Sequence, residues 1–169
     1  MTPRSLSPAW VGRVTLLLTV GLLGVGCTKD ERAARCSEDR VAFQALLSMD
    51  QRVSGMLREV DDLALTGRPI DAADRIDKGT RAAMDEVVTD ANQVTPRTKW
   101  GVERKKEVVG LTQQRRELLD AYAKALRSED LQRVVAEMEK QRDLEKRAVE
   151  VQRGIASTPE VSSGACDPP

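Results

Sequence analysis

The strongest constraint on the fold of this chain is a run of apolar residues whose spacing alternates between four and three positions. The run covers residues 42–63, and its successive spacings are 4, 3, 4, 3, 4 and 3. This repeat aligns apolar side chains along one side of an α-helix and is typical of a helix that packs in a bundle. It predicts a helix from about Glu31 to Thr66 whose core seam is formed by Leu46, Met49, Val53, Met56, Val60 and Leu63.

Two further helices are predicted from periodicity and boundary signals. Gly67-Arg68-Pro69 is expected to end the first helix, because glycine and then proline commonly follow a helix C-terminus. The second helix is expected to run from about Asp71, its candidate N-cap, to Gln93. The third is expected to begin at Thr95-Pro96, an N-cap followed by proline at the first helical position, and to reach about Arg127.

The prediction of a fourth helix depends on Ser128-Glu129-Asp130, which looks like a cap followed by two acidic residues in the first turn.

Aromatic residues make up 2% of the chain and charged residues 32%, a composition that favours helices over β-sandwiches and barrels. The prediction is an all-α protein, an antiparallel up-down four-helix bundle. The inward residues expected of the fourth helix are Leu131, Val134, Val135, Met138, Leu144, Ala148, Val151 and Ile155.

The predicted bundle covers residues 33–156 and is followed by an irregular tail, residues 157–169, that contains prolines and serines. If the chain does not turn at Ser128, the alternative fold has three helices, of which the C-terminal one is very long. Arg115 falls among the apolar positions of the third helix. It is expected either to pack its stem while its guanidinium pairs or reaches solvent, or to be a buried functional cation.

The N-terminus has the pattern of an export signal. Arg4 and Arg13 precede an uncharged stretch, residues 14–28, that is rich in leucine, valine and glycine. The stretch is shorter than the run of about 20 apolar residues that a membrane-spanning helix needs. We therefore predict that residues 1–26 are a signal peptide removed on export. A short membrane anchor that stays on the chain is the alternative.

The end of this stretch, Leu23-Gly24-Val25-Gly26-Cys27, resembles the lipobox of bacterial lipoproteins, although Gly24 stands where leucine is usual. The resemblance implies that Cys27 becomes an acylated N-terminus, that residues 27–32 form a lipidated tether, and that acyl chains hold the protein on a membrane. Thr28, rather than aspartate, after the cysteine implies the periplasmic face of the outer membrane. In the alternative, the protein is secreted and Cys27 is an ordinary thiol.

Cys36 and Cys166 are the cysteines that remain when Cys27 carries lipid. In an oxidising compartment they are expected to form an intramolecular disulfide, which requires Cα atoms within about 6 Å of each other. An even number of antiparallel helices would bring the two ends of the mature chain together and permit this bond. Free or intermolecular thiols are the alternative.

The residue inventory argues against catalysis. Histidine, the commonest general base and metal ligand, is absent. No calcium loop or phosphate-binding loop is present in the sequence. The 27 basic and 27 acidic residues leave no positive excess for nucleic acid. We therefore expect no enzyme activity, no cofactor, no bound metal and no nucleic acid partner.

The favoured function is a lipid-anchored cell-envelope protein, a non-catalytic structural or interaction module for an unidentified envelope protein. One short motif suggests an alternative. Leu111-Thr112-Gln113-Gln114-Arg115 resembles the Leu-Thr-x-x-Gln motif of small helical periplasmic chaperones and stress sensors, with Arg115 in place of the final glutamine. The resemblance implies a periplasmic chaperone or stress-sensing accessory that binds apolar client segments.

Overall fold

The computed structural model describes residues 28–128 and 130–169, a part of the chain that is mostly helical and contains no strand. A π-helical turn, Ile76–Thr80, joins two of the helices without a break, so that four helical segments pack against one another. The predicted all-helical class is confirmed. The predicted signal peptide lies outside the described residues. The helices are α1 (Lys29–Leu65), α2 (Pro69–Arg75), α3 (Arg81–Gln93), α4 (Lys99–Arg127) and α5 (Leu131–Ala156).

The core is formed around α4, which contacts each of the other helices. A larger cluster of buried apolar residues surrounds the fully buried Tyr122. It contains residues from α1, α2, α3 and α4, together with Val134 from α5. A smaller cluster surrounds Phe43 and includes Ile155 near the end of α5. Small side chains such as Ala73 and Ala123 are buried in the larger cluster, and they allow the helix backbones to approach closely.

The predicted seam of α1 lies at the core but is not centred on it. Leu46, Val53 and Val60 are buried, whereas the methionines and Leu63 are only partly buried at the edge of the core. The buried face is rotated by about one residue from the predicted one, because α1 contacts α2, α3, α4 and α5 and must present a wide stripe. The buried residues of this face are Cys36, Asp39, Phe43, Leu46, Asp50, Val53, Leu57 and Val60.

Three helices begin at residues other than those predicted. The first helix begins at Lys29, so most of the predicted tether, residues 27–32, is helical. Pro69 occupies the first turn of α2, and Asp71 pairs with Arg68 at 2.8 Å instead of capping the helix. The cap of α4 is Thr98, not Thr95, because its hydroxyl accepts a hydrogen bond from an amide of the first turn.

The predicted ends of the first and third helices agree with the structure. Gly67 has φ 77°, a left-handed conformation that glycine adopts without strain. The third helix ends at Arg127, and the side chain of Asp130 accepts hydrogen bonds from the amides of Gln132 and Arg133 to begin α5. The alternative with one very long C-terminal helix is therefore wrong.

The inward face predicted for α5 is wrong at its start. Leu131 is 77% exposed and Val135 is 52% exposed. The face that packs inward contains the polar residues Glu137 and Gln141 between Val134 and the end of the helix. The apolar residues of α5 follow two adjacent stripes, and only one of these stripes can face α4.

Candidate functional site at the disulfide end of the bundle

The start of α1 is held by its own cap. The Thr28 hydroxyl accepts a hydrogen bond from the Glu31 amide at 3.3 Å, and the Glu31 carboxylate accepts one from the Thr28 amide at 3.1 Å. This reciprocal capping box satisfies amides that a helix N-terminus otherwise leaves free. Cys27, the predicted lipid attachment site, lies outside the described residues and directly precedes this cap.

A disulfide joins the first turns of α1 to the C-terminal tail. Cys36 and Cys166 are both buried, and their Cα atoms lie 5.4 Å apart. The bond is compatible with the pairing predicted from the sequence. It closes a loop of 130 residues in sequence separation and so holds the two ends of the described chain at one place.

The tail also caps α4. The carbonyl of Asp167 accepts a hydrogen bond from the Lys99 amide, and the carbonyl of Ala165 accepts one from the Trp100 amide, each at 2.9 Å. The Thr98 hydroxyl accepts the Gly101 amide at 2.9 Å. The first three amides of α4 therefore all have acceptors, two of which come from residues flanking Cys166 in the chain.

Asp39 on α1 binds the loop that precedes α4. Its buried carboxylate accepts hydrogen bonds from the Arg97 amide at 2.9 Å, the Thr98 amide at 3.0 Å and the Thr98 hydroxyl at 2.6 Å. Sequence reasoning missed this residue because nothing local links it to a partner almost sixty positions away. The weak signal was an acidic residue next to an apolar stripe.

Gly101 is required by this arrangement. A Cβ at Gly101 would lie 2.1 Å from the Asp39 Oδ2 atom and 2.9 Å from the Pro96 Cβ. The Asp39 carboxylate would have to move and give up part of its three hydrogen bonds to admit a methyl group.

We expect Gly101→Ala to lower the free energy of unfolding by about 1–3 kcal/mol, because the clash outweighs the better helix propensity of alanine. Gly110→Ala on the same helix is the matched control, since its Cβ would meet no atom within 4 Å. The control should be neutral or stabilising by up to about 1 kcal/mol. Urea unfolding of both variants measures the difference, and equal stabilities would contradict the close approach of Asp39.

A second polar cluster lies in the middle of the bundle. Arg115 is 3% exposed, and its Nη1 atom lies 2.5 Å from both carboxylate oxygens of Asp50. Its other terminal nitrogen donates to the Ser54 hydroxyl at 2.8 Å. Burial raises the pKa of Asp50, and the neighbouring Arg115 charge opposes that rise. Of the two roles expected for Arg115, the structure shows pairing.

A third, partly buried contact joins α1 to α4. The Tyr122 hydroxyl donates to an Asp61 oxygen at 2.8 Å. Burial raises the pKa of Asp61, while the hydrogen bond from Tyr122 lowers it in part. Burial and the Asp61 carboxylate together raise the pKa of the Tyr122 hydroxyl far above its usual range, so this tyrosine stays protonated and serves as a donor.

We expect Tyr122→Phe to raise the pKa of Asp61 further, because the donor that favours its charged form is lost. The variant should also be less stable by about 1 kcal/mol at neutral pH. Because the pKa of Asp61 is higher in the folded than in the unfolded state, ionisation of this carboxyl destabilises the fold at pH values above its folded-state pKa. At pH values below its unfolded-state pKa the carboxyl is protonated in both states and has no such effect. The stability gap between variant and parent should therefore shrink in acid. NMR titration of the Asp61 carboxyl measures the shift, and an unchanged pKa would disprove the contact.

The Leu-Thr motif of α4 faces inward. Leu111, Thr112 and Arg115 are buried, while Gln113 and Gln114 are exposed. Leu111 and Thr112, the first two residues of the motif, are thus packed inside the bundle. In the described ranges no group of three or more His, Cys, Asp or Glu side chains could hold a metal ion. None of the described helices is long and apolar enough to cross a membrane.

No protein family, curated protein or solved structure matches this chain.

Proposed function

We propose that this protein is a lipid-anchored component of the bacterial cell envelope and acts there as a non-catalytic structural or interaction module. The observation that carries the proposal is the pattern Leu23–Cys27 followed at once by a capped helix. With α1 beginning at Lys29, an acyl group on Cys27 would be attached almost directly to the bundle. The disulfide end would then lie at the membrane surface.

The proposal includes an up-down order of the four helical segments. Ion pairs and hydrogen bonds between neighbouring segments support it, because residue numbers rise along one helix as they fall along the next. Arg52 pairs with Glu86 at 3.2 Å, and Glu59 pairs with Arg75 at 2.6 Å. Asp85–Arg116 and Asp77–Arg127 have the same reversed order along α4, and the single contacts Gln114–Arg147 and Arg40–Thr158 are compatible with it.

This order supports a structural role for the disulfide end. It places the starts of α1 and α4, the end of α5 and the tail at the end of the bundle nearest Cys27. The buried Asp39 carboxylate at this end holds the start of α4. A rigid base of this kind would position the opposite end of the bundle away from the lipid, facing an envelope protein partner.

The attachment is tested by replacing Cys27 with serine in the full-length chain. We expect the parent protein to carry a diacylglyceryl and an acyl mass on Cys27 and to sediment with membranes, whereas the variant should lose both properties. Intact-mass spectrometry and membrane fractionation measure them. A parent protein that starts at Cys27 without lipid, in the soluble periplasmic fraction, would disprove the anchor.

The choice of membrane is tested at Thr28. Thr28→Asp should move the protein from the outer to the inner membrane, following the sorting tendency of lipoproteins. Aspartate is also a good N-cap, so α1 should still form. Thr28→Ser, which keeps a hydroxyl cap, is the matched control and should leave the protein in the outer membrane. Equal distributions of the two variants in a sucrose gradient would contradict the outer-membrane assignment.

A further inference from the structure

A cavity of about 460 Å³ lies between α4 and α5 and opens to solvent. Its apolar wall is formed by Leu118 and Ala121 of α4 and by Leu144 of α5. Ionisable side chains, among them Glu137 and Lys140, complete the lining. Sites for small ligands commonly have a volume in this range and combine an apolar wall with a few polar groups that orient the ligand. The cavity therefore has the size and the lining of a small-molecule site.

The buried carboxylate of Glu137 is the unusual group in this cavity. Glu137 is 7% exposed, and its Oε1 atom accepts a hydrogen bond from the Lys140 ammonium at 2.8 Å. Its Oε2 atom is buried and accepts no hydrogen bond from any described residue. A buried carboxylate oxygen without a donor is costly, because water no longer solvates it. This oxygen therefore favours a ligand that brings an N–H donor and a positive charge.

The cations of the cavity are already engaged, so they do not favour an anionic ligand. Lys140 and Arg147 are exposed, and each donates to a side chain of the wall, Lys140 to Glu137 and Arg147 to Gln114. An anion would have to displace one of these contacts at the surface. It would also be repelled by the buried carboxylate of Glu137. The charge of the ligand that fits here is positive.

The cavity is short along the helices. At one end the Arg147 guanidinium donates to the Gln114 side chain at 2.6 Å and bridges α5 to α4. Toward the other end, the two helices approach the turn that joins Arg127 to Leu131. A peptide segment laid along the helices needs a continuous groove, whereas a compact molecule fits between the bridge and the turn. The geometry favours a small ligand over a protein segment.

We propose that this cavity binds a small organic cation, an ammonium or guanidinium group carried on a compact apolar body. The cation pairs with the Glu137 carboxylate, and the apolar body lies against Leu118, Ala121 and Leu144. The Lys140 side chain is 62% exposed, so its ammonium can leave the carboxylate for solvent when the ligand binds. An ion pair made by an exposed lysine contributes little to stability. The ligand replaces this cation and also buries apolar surface, which the lysine ammonium does not.

The site goes beyond the proposed anchoring function and does not depend on it. Gln114, at the near end of the cavity, lies ~24 Å along α4 from Thr98 at the disulfide end. In the proposed orientation the cavity would therefore lie beyond the lipid surface. All of its wall residues belong to α4 and α5, so removing the lipid should leave ligand binding unchanged.

Isothermal titration calorimetry of the full-length chain in mild detergent tests the site, with 2-phenylethylamine as the probe. We expect saturable binding of this amine. The neutral 2-phenylethanol, which has the same apolar body, and methylammonium, which has the charge without that body, should each bind about tenfold more weakly or worse. Equal binding of 2-phenylethanol, or no saturable binding of 2-phenylethylamine, would overturn the proposal.

Two substitutions with opposite expected effects test the role of the carboxylate. Glu137→Gln, which keeps the shape of the side chain, should weaken binding of 2-phenylethylamine by about tenfold or more. Lys140→Gln should tighten it severalfold, because it removes the cation that competes for the same carboxylate. Glu139→Gln, at an exposed position of α5 outside the cavity, is the matched control and should bind as the parent does. Unchanged binding by Glu137→Gln, or weaker binding by Lys140→Gln, would contradict the exchange of cations.

A substitution that fills the cavity tests its location. Ala121→Leu adds an apolar side chain to the exposed part of the wall without changing any charge, so it should abolish binding while circular dichroism shows an unchanged helix content. Binding by Ala121→Leu that equals that of the parent would place the amine elsewhere and overturn the site. Saturable binding of a lysine-containing peptide, with none of 2-phenylethylamine, would overturn the assignment to a small ligand in favour of a protein segment.

Discussion

Replacing both Cys36 and Cys166 by serine should lower the free energy of unfolding by about 4 kcal/mol, because the disulfide closes a loop of 130 residues in the unfolded chain. The loss of this cross-link increases the conformational entropy of the unfolded state more than a short loop would. Urea unfolding of the oxidised parent and the double variant measures the difference. The parent after reduction should behave like the variant.

The same replacement should act locally on α4. Ala165 and Asp167, which flank Cys166, accept the first amides of this helix. Once the tail is released, the amides of Lys99 and Trp100 should lose protection against hydrogen exchange. Cys27→Ser, which leaves the disulfide intact, is the control and should change neither the stability nor the exchange of these amides. A double serine variant that unfolds at the same urea concentration as the parent would contradict the stabilising role of the disulfide.

Replacing Arg115 by methionine should destabilise the protein by about 3–5 kcal/mol, because it leaves Asp50 buried without its cation. The Ser54 hydroxyl loses a donor as well. The paired replacement Asp50→Leu with Arg115→Met removes both charges and is the matched control. It should cost less than Arg115→Met alone, since no uncompensated charge is left in the core. Thermal and urea unfolding give both values, and additive effects would show that the two residues do not interact.

The destabilisation by Arg115→Met should depend on pH. Burial raises the pKa of Asp50, and Arg115 opposes this rise, so the variant should have an even higher folded-state pKa. A carboxyl with a raised folded-state pKa opposes folding when it is ionised. The part of the penalty that comes from the Asp50 charge is therefore complete above that pKa, shrinks as the pH falls, and vanishes below the unfolded value near 3.8. A stability difference between variant and parent that stays constant down to pH 4 would argue against a buried carboxylate.

The exposed start of α5 shows a limit of predicting helix packing from periodicity. Leu131 and Val135 fit an apolar helix pattern as well as Val134 does, and all three were predicted to face inward. Only Val134 is buried. Periodicity identifies apolar stripes on a helix, but it does not say which of two adjacent stripes meets the neighbouring helix. That choice depends on how α5 is placed against α4 and α1.

The sequence by itself determined the helical class, the break between α4 and α5, the glycine that ends α1 and the cysteines available for pairing. These features depend on local spacing, capping and composition, which act within a few residues. The tertiary structure alone decided that Asp39 binds the start of α4, that Gly101 must lack a side chain and that Arg115 pairs with Asp50. Each of these contacts joins residues more than fifty positions apart. Burial then makes hydrogen bonds and charge pairing mandatory, because a polar group removed from water must find its partner within the folded chain.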